Sequence, residues 1–252
     1  MLRHPTLDQL HQLGLLGMAK ALEELLNTRE AEALGFEERL ALMIEREAAW
    51  RDTKRIQARL RHAKLRQNAA VEDVDYRTPR GLDRALFQRL VGGQWLAEHQ
   101  NLLITGPCGV GKSWLACALA HKACRNNRSA LYLRLPRLLE DLALARADGR
   151  YPRLLKGLAR VQLLVLDDWG LTPLAPEQRR DLLEIVDDRH DRASTLIASQ
   201  LPVDRWHDMI GDPTLADAIL DRIVHNAHRI ALTGDSLRRR RAAKTPAQQP
   251  TP

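Results

Sequence analysis

Cysteine is scarce in this chain: Cys108, Cys117 and Cys124 are the only three in 252 residues. They cluster in one stretch, with no second pair elsewhere to complete a zinc-type spacing, so a disulfide scaffold is excluded. Cys117 and Cys124 lie seven apart on a predicted helix and read as small buried hydrophobes. Long apolar runs are also missing. Stretches such as Val161 to Leu166 fall far short of the roughly 20 residues a membrane span requires. His4 and Asp8 interrupt any signal-peptide-like start, which predicts a cytoplasmic protein with no membrane partner. Asn-Lys-x-Asp occurs nowhere, which argues against a guanine-specific GTPase.

What is present is an ordinary folding composition, 44% hydrophobic and 28% charged, at a length that suits one large domain or two modest ones. Two unequal parts are expected. The net charge of +7 is unevenly placed: Arg51, Lys54, Arg55, Arg59, Arg61, Lys64 and Arg66 face only Asp52 and give +6. Arg238 to Arg241 with Lys244 give +5, leaving the remainder at −4. Such concentration suits a polyanion, in a cytoplasmic protein most often nucleic acid, and equally suits a solvated helix face and a loose tail.

Residues 7 to about 66 repeat Leu10, Leu13, Leu16, Met18, Leu22, Leu25 and Leu26, then Phe36, Leu40, Met43, Ile44, Trp50, Ile56, Leu60 and Leu65 at helical spacing, broken around Asn27 to Gly35. A small all-α N-terminal domain over residues 1–67 is predicted, its second half carrying the basic face. Over residues 68–81 the periodicity dissolves and Pro79 disfavours helix before it, so a linker is expected there. Residues 82–237 then alternate strand-like and helix-like segments. The strands are expected at Asn101 to Thr105, Ala130 to Leu133, Gln162 to Leu166, Thr195 to Ala198 and His228 to Leu232, with helices near 112–125, 138–147 and 176–189. That order predicts a five-stranded parallel sheet covered on both faces, an α/β fold. Residues 238–252, basic and then proline-rich, are expected to be disordered.

Gly106-Pro107-Cys108-Gly109-Val110-Gly111-Lys112-Ser113 matches G-x-x-x-x-G-K-[ST] between an apolar strand and a helix. Its glycines let backbone N–H groups turn toward one point at the positive end of the following helix. Lys112 is then placed for the β and γ phosphates of ATP, and Ser113 for Mg²⁺. Leu163 to Leu166 is a buried strand ending in Asp167 and Asp168, and parallel sheets gather ligands at their carboxyl edge. Asp167 is therefore expected in the Mg²⁺ shell and Asp168 at the position of a general base acting on water. Ser199 and Gln200 follow the fourth strand and suit either contact with the γ phosphate or the attacking water, or a helix N-cap or turn. Arg222, on a predicted helix, reads by itself as a surface arginine. Trp206 reads as a packing anchor. Val91-Gly92-Gly93-Gln94 shares letters with the ABC transporter signature, but it precedes the phosphate loop and lacks the Leu-Ser start.

Several segments together resemble one family. They are Leu13-Gly14-Leu15-Leu16-Gly17-Met18-Ala19 with Leu22-Glu23, Phe36 to Leu40, the Gly106 to Ser113 loop, Leu166-Asp167-Asp168-Trp169-Gly170, Ser199-Gln200-Leu201-Pro202, and Gly211-Asp212-Pro213 through Asp221-Arg222 to Gly234-Asp235-Ser236. The chain resembles the IstB transposition helpers, in the same AAA+ branch as the DnaC helicase loaders, over nearly all of residues 7–241. The loop and acidic pair are common to P-loop ATPases, whereas the N-terminal and late motifs are specific. The resemblance implies an AAA+ ATPase that binds double-stranded DNA, forms homo-oligomers with ATP between subunits, and presents target DNA to a transposase of the same mobile element. It also implies a sensor 1 role for Ser199 or Gln200, an arginine finger at Arg222 and a sensor 2 role for Arg238. Many AAA+ proteins carry Glu where Asp168 stands; the shorter side chain implies slow hydrolysis. The alternatives are a DnaC-like helicase loader, whose helical domain would grip a helicase, and a small-molecule kinase, which would need neither Arg222 nor the basic helices.

Overall fold

The computed structural model describes residues 5–28 and 33–237. The chain divides into two compact units, Met1–Arg59 and Leu60–Pro252. Arg238 and the basic, proline-rich tail lie outside the described residues, so the expectations for them are not addressed by the fold.

The first unit is helical, with α1 (Pro5–Gln12), α2 (Leu16–Asn27) and the larger part of α3 (Phe36–Ala63). Helix N-termini leave N–H groups without intrahelical partners. In α2 these are met from another helix: the buried Glu47 carboxylate accepts the N–H of Gly17 at 2.7 Å and of Met18 at 3.1 Å. A Cβ on Gly17 would stand 2.6 Å from the Glu47 Cα, so the approach of α2 to α3 requires glycine. Gly17 of the Leu13–Ala19 motif is therefore explained by packing.

The second unit holds the sheet: β1 (Asn101–Thr105), β2 (Ala130–Arg134), β3 (Leu163–Trp169), β4 (Ser194–Ser199) and β5 (Ala227–Ala231), in the order β2-β3-β4-β1-β5 and parallel throughout. The helices are α4 (Arg84–Gly92), α5 (Gln94–Ala97), α6 (Lys112–Arg125), α7 (Leu135–Ala147), α8 (Tyr151–Arg160), α9 (Pro176–Arg189), α10 (Trp206–Ile210) and α11 (Pro213–Val224). Successive strand side chains point to opposite faces. Accordingly Leu102 and Ile104 join one buried cluster with Leu115, Cys117 and Cys124, while Leu103 joins another with Leu164, Leu166 and Ile197. Both clusters are built from wholly apolar runs, as a sheet covered on two faces demands. The buried Trp206 packs on Trp169, ring centroids 5.0 Å apart, and donates its indole N–H to the Leu201 carbonyl.

Two expectations differ from the fold. Residues 68–81, expected as a linker, pack within the second unit: Ala69, Val71, Val74 and Arg80 are buried, around a short 3₁₀ turn at Val71–Asp73. Their apolar side chains enter the core singly and make no repeating face, which is why periodicity missed them. The boundary between the units falls correspondingly earlier, inside α3. Strand β3 also continues to Trp169, past the expected end at Leu166, because its register with β4 shifts between Leu166 and Trp169.

Candidate nucleotide site

The phosphate-loop sequence joins β1 to α6. Gly106 adopts φ +142°, and a Cβ there would sit 2.3 Å from the Leu232 carbonyl oxygen; Gly111, at φ +103°, caps α6 in the left-handed region. Only glycine allows both. The loop is braced from outside by its own unit. Leu232 and Leu237 donate their N–H groups to the carbonyls of Thr105 (2.8 Å) and Gly109 (3.0 Å), and Arg80 donates Nη1 to the Val110 carbonyl (3.0 Å). Arg80 is 4% exposed, and burial lowers the pKa of its guanidinium. Lys112 Nζ donates to the carbonyls of Gly106 (2.6 Å) and Pro107 (2.7 Å), so its ammonium is held inside the curve of the loop.

The sheet order sets β4 between β1 and β3, so the loop after β1 and the acids of β3 flank the end of β4. An unbroken strand would send Asp167 and Asp168 to opposite faces. The irregularity in β3 relieves this: Asp168 takes φ +60°, and both carboxylates line one cavity of about 260 Å³ with Gly109, Gly111, Lys112 and Ser113. Bulges commonly re-aim side chains beside active sites. The left-handed conformation also favours a short Asp or Asn over a longer residue, a local reason for Asp at position 168.

Both acids are held. Asp167, 2% exposed, accepts the hydroxyl of Tyr132 on Oδ2 and the N–H of Asp168 on Oδ1 at 2.9 Å. Asp168 Oδ2 accepts Nε of Arg134 at 2.5 Å, and that bond raises the pKa of the arginine. The donor set fits a nucleotide with magnesium: a backbone N–H cradle, one ammonium, one hydroxyl and one buried carboxylate. Among the described residues no group of three or more His, Cys, Asp or Glu is placed to hold a metal by itself.

Of the residues singled out in the sequence, the structure brings together Cys108, Gly109, Gly111, Lys112, Ser113, Asp167, Asp168 and Gln200 along this cavity. Gly106, Pro107 and Val110 form the body of the loop, Val110 being fully buried. Ser199 is not brought to it: fully buried, its hydroxyl donates to the Trp169 carbonyl (2.9 Å) and accepts the Leu201 N–H (3.0 Å). Ser199 thus ends β4 inside the core and Gln200, the next residue, stands on the cavity wall. Arg222 lies at the other end of the sheet, where its backbone carbonyl accepts the side chain of Asn101, the first residue of β1. Its guanidinium donates to Asp187 (2.6 Å) and the Ala218 carbonyl (2.8 Å). At about 3.3 Å per residue, the length of β1 separates it from the phosphate loop of its own chain.

The basic stretch is split. Arg51, Lys54, Arg55, Arg61 and Lys64 are exposed and Arg59 is half-buried. Arg51 pairs with Glu47, Arg55 with Asp52, and the Lys54 ammonium lies 5.2 Å over the Trp50 ring. Arg66, grouped with them by charge alone, lines the nucleotide cavity. So do residues that no sequence motif marked: Gln67, Asp73, Asp75, Arg80, Trp114, Arg134 and Leu237. Arg134 had a usable signal in its place at the carboxyl end of β2; Asp73, Asp75 and Arg80 were hidden in the expected linker.

The chain is similar to known proteins along its length. It is 62% identical over 245 residues to an insertion sequence ATP-binding protein of Sinorhizobium fredii, covering 97% of this chain and 100% of that one. It is 30% identical to an insertion sequence IS21 ATP-binding protein of Pseudomonas aeruginosa, covering 91% of this chain and 86% of that one. Among solved structures, the fold matches DnaI (TM-score 0.58, 24% identity, 66% of this chain and 92% of that one) and the DnaC helicase loader (TM-score 0.57, 21% identity, 68% and 99%). These two likenesses establish a shared fold. A model of the IstB-like ATP binding proteins matches residues 8–245, and the chain belongs to that family.

Proposed function

We propose that this protein is an ATPase that assembles on double-stranded DNA with ATP between its subunits and presents target DNA to a transposase of the same mobile element. The observation that carries the reading is the single cavity in which the glycine cradle, Lys112, Ser113, Asp167, Asp168 and Gln200 meet. The N–H groups of the loop and the start of α6 receive the phosphates, and Lys112 exchanges the carbonyls of Gly106 and Pro107 for phosphate oxygen. Ser113 and Asp167 hold the metal, which when bound neutralises phosphate charge. Asp168 accepts the proton of an attacking water, and Gln200 orients that water from the end of β4. Because Arg134 is bonded to Asp168, the base must be released before it can act, so turnover is expected to be slow and to rise when DNA or a partner draws Arg134 away. Arg222, turned away from its own cavity, suits a neighbouring subunit's nucleotide, and Arg238 the sensor 2 role.

Duplex DNA lies along the exposed Arg51, Lys54, Arg55, Arg61 and Lys64 and the half-buried Arg59, contacts that read backbone charge and not base sequence. Binding through phosphates releases counterions, so affinity should fall steeply with salt. The test is DNA affinity with a non-hydrolysable ATP analogue across a salt series, for the native chain and for the triple variant Arg55→Glu, Arg59→Glu, Arg61→Glu. The native chain should show a steep negative slope of log affinity against log salt, made shallower by roughly one for each phosphate that the variant leaves unneutralised. A flat native response, or an unchanged slope in the variant, refutes the DNA assignment. A helicase-loader function has less support, since the relatives similar over the whole chain are insertion-sequence proteins and DnaC is similar in fold.

A further inference from the structure

Tyr132 and Arg134 stand two apart in β2, on one face of the sheet, and each takes one of the two acids of β3: Tyr132 bonds Asp167 and Arg134 bonds Asp168. The Tyr132 ring is 5% exposed and Asp167 2%, so their bond is made away from water. With Oδ1 of Asp167 bound to the Asp168 N–H, the Tyr132 hydroxyl on Oδ2 removes the remaining freedom of the carboxylate to turn.

We propose that Tyr132 is a positioning residue that holds the Asp167 carboxylate in the orientation needed to ligate the metal of a bound Mg²⁺–nucleotide, an inference that rests on the nucleotide-site reading above. The hydroxyl of Tyr132 donates to Oδ2 of Asp167. Without that donor the carboxylate could rotate or take up water, and each ligation event would have to order it again. Groups that hold a metal ligand in this way typically contribute about 10–100-fold to metal affinity. Nothing in the local sequence marks Tyr132: it is one aromatic residue in an apolar strand, brought to Asp167 only by the parallel register of β2 and β3.

The experiment uses the full chain with Mn²⁺ as the probe ion, counted by electron paramagnetic resonance in the presence of saturating non-hydrolysable ATP analogue. Tyr132→Phe should bind Mn²⁺ about 10–100-fold more weakly while its affinity for the analogue in EDTA changes less than about twofold. Tyr151→Phe is the control, since its phenol also donates to carboxylates, but to Asp181 and Glu184, which do not line the cavity; its Mn²⁺ affinity should match the native value. A second measurement needs no variant. With 3-fluorotyrosine at the three tyrosines, the fluorine resonance of Tyr132 should shift when Mg²⁺ is added to the nucleotide-saturated protein, while those of Tyr76 and Tyr151 stay still. A Tyr132→Phe chain with lowered melting temperature but native Mn²⁺ affinity overturns the inference, as does an unmoved Tyr132 resonance. Native chain that binds nucleotide but no Mn²⁺ overturns it too, and native chain that binds neither overturns the nucleotide-site reading with it.

Discussion

Arg134→Ala should raise basal ATP hydrolysis without weakening nucleotide binding. In the structure Arg134 Nε lies 2.5 Å from Asp168 Oδ2, and a base engaged in this way has one oxygen withdrawn from solvent. The arginine side chain is 50% exposed and that of Asp168 19%, so the pair belongs with solvent-screened ion pairs, worth about 0.2–1 kcal/mol. Removing it shifts the population of released Asp168 by the same free energy, which at about 1.4 kcal/mol per tenfold is at most about fivefold in rate. Steady-state phosphate release should therefore rise about 1.4- to fivefold, with nucleotide affinity by fluorescence titration within about twofold of native. Arg134→Lys, which keeps a cation but loses the planar fork, should fall between. Arg134 also lines the cavity, and this supplies the refutation: a fall in turnover of about tenfold or more would show that its charge serves the phosphates and that the bond to Asp168 is not a restraint.

Lys112→Ala removes an ammonium seated on two loop carbonyls; at about 1.5–3 kcal/mol for a charged hydrogen bond, nucleotide affinity measured by calorimetry should drop about 10–150-fold. Asp168→Asn should keep nucleotide affinity within a few-fold and reduce turnover by about 10²–10⁴, leaving assemblies persistent on DNA in a filter-retention assay. The acid titration of Glu47 offers a test in the first unit. Burial pulls its pKa up, but the Arg51 guanidinium and the N–H groups of Met18 and Gly17 outweigh it and leave the pKa below the ordinary 4.5. A depressed carboxylate stabilises the fold above its unfolded value, and that contribution is lost as pH falls through the native one. Hydrogen exchange at the start of α2 should therefore accelerate below about pH 4.5, and Glu47→Gln should abolish that pH step while speeding exchange at Gly17 and Met18 at neutral pH.

The features most legible in the sequence were those carried by local chemistry. A phosphate loop must be glycine-rich where a Cβ would meet the Leu232 carbonyl, and its Lys-Ser pair must open a helix, so Gly106 to Ser113 was legible letter by letter. Apolar runs separated by amphipathic segments specify parallel strands with covered faces, and Leu163 to Leu166 needed nothing more. Charge was less informative, because a count along the chain grouped Arg66 with the outward arginines of α3 although it lines the cavity. Ser199 and Gln200 were adjacent letters with interchangeable roles until the end of β4 buried the first and left the second exposed.

Tertiary structure alone decided the rest. Asp167 and Asp168 share the cavity because β3 slips against β4, and register is a property of two strands that neither segment encodes. Arg80 braces the loop across thirty residues, and Tyr132 meets Asp167 across thirty-five. Local periodicity records which face of an element is buried but not which distant element buries it. The cradle was therefore written in consecutive residues, while the groups that brace it and aim its acids became recognisable only once the sheet had brought them together.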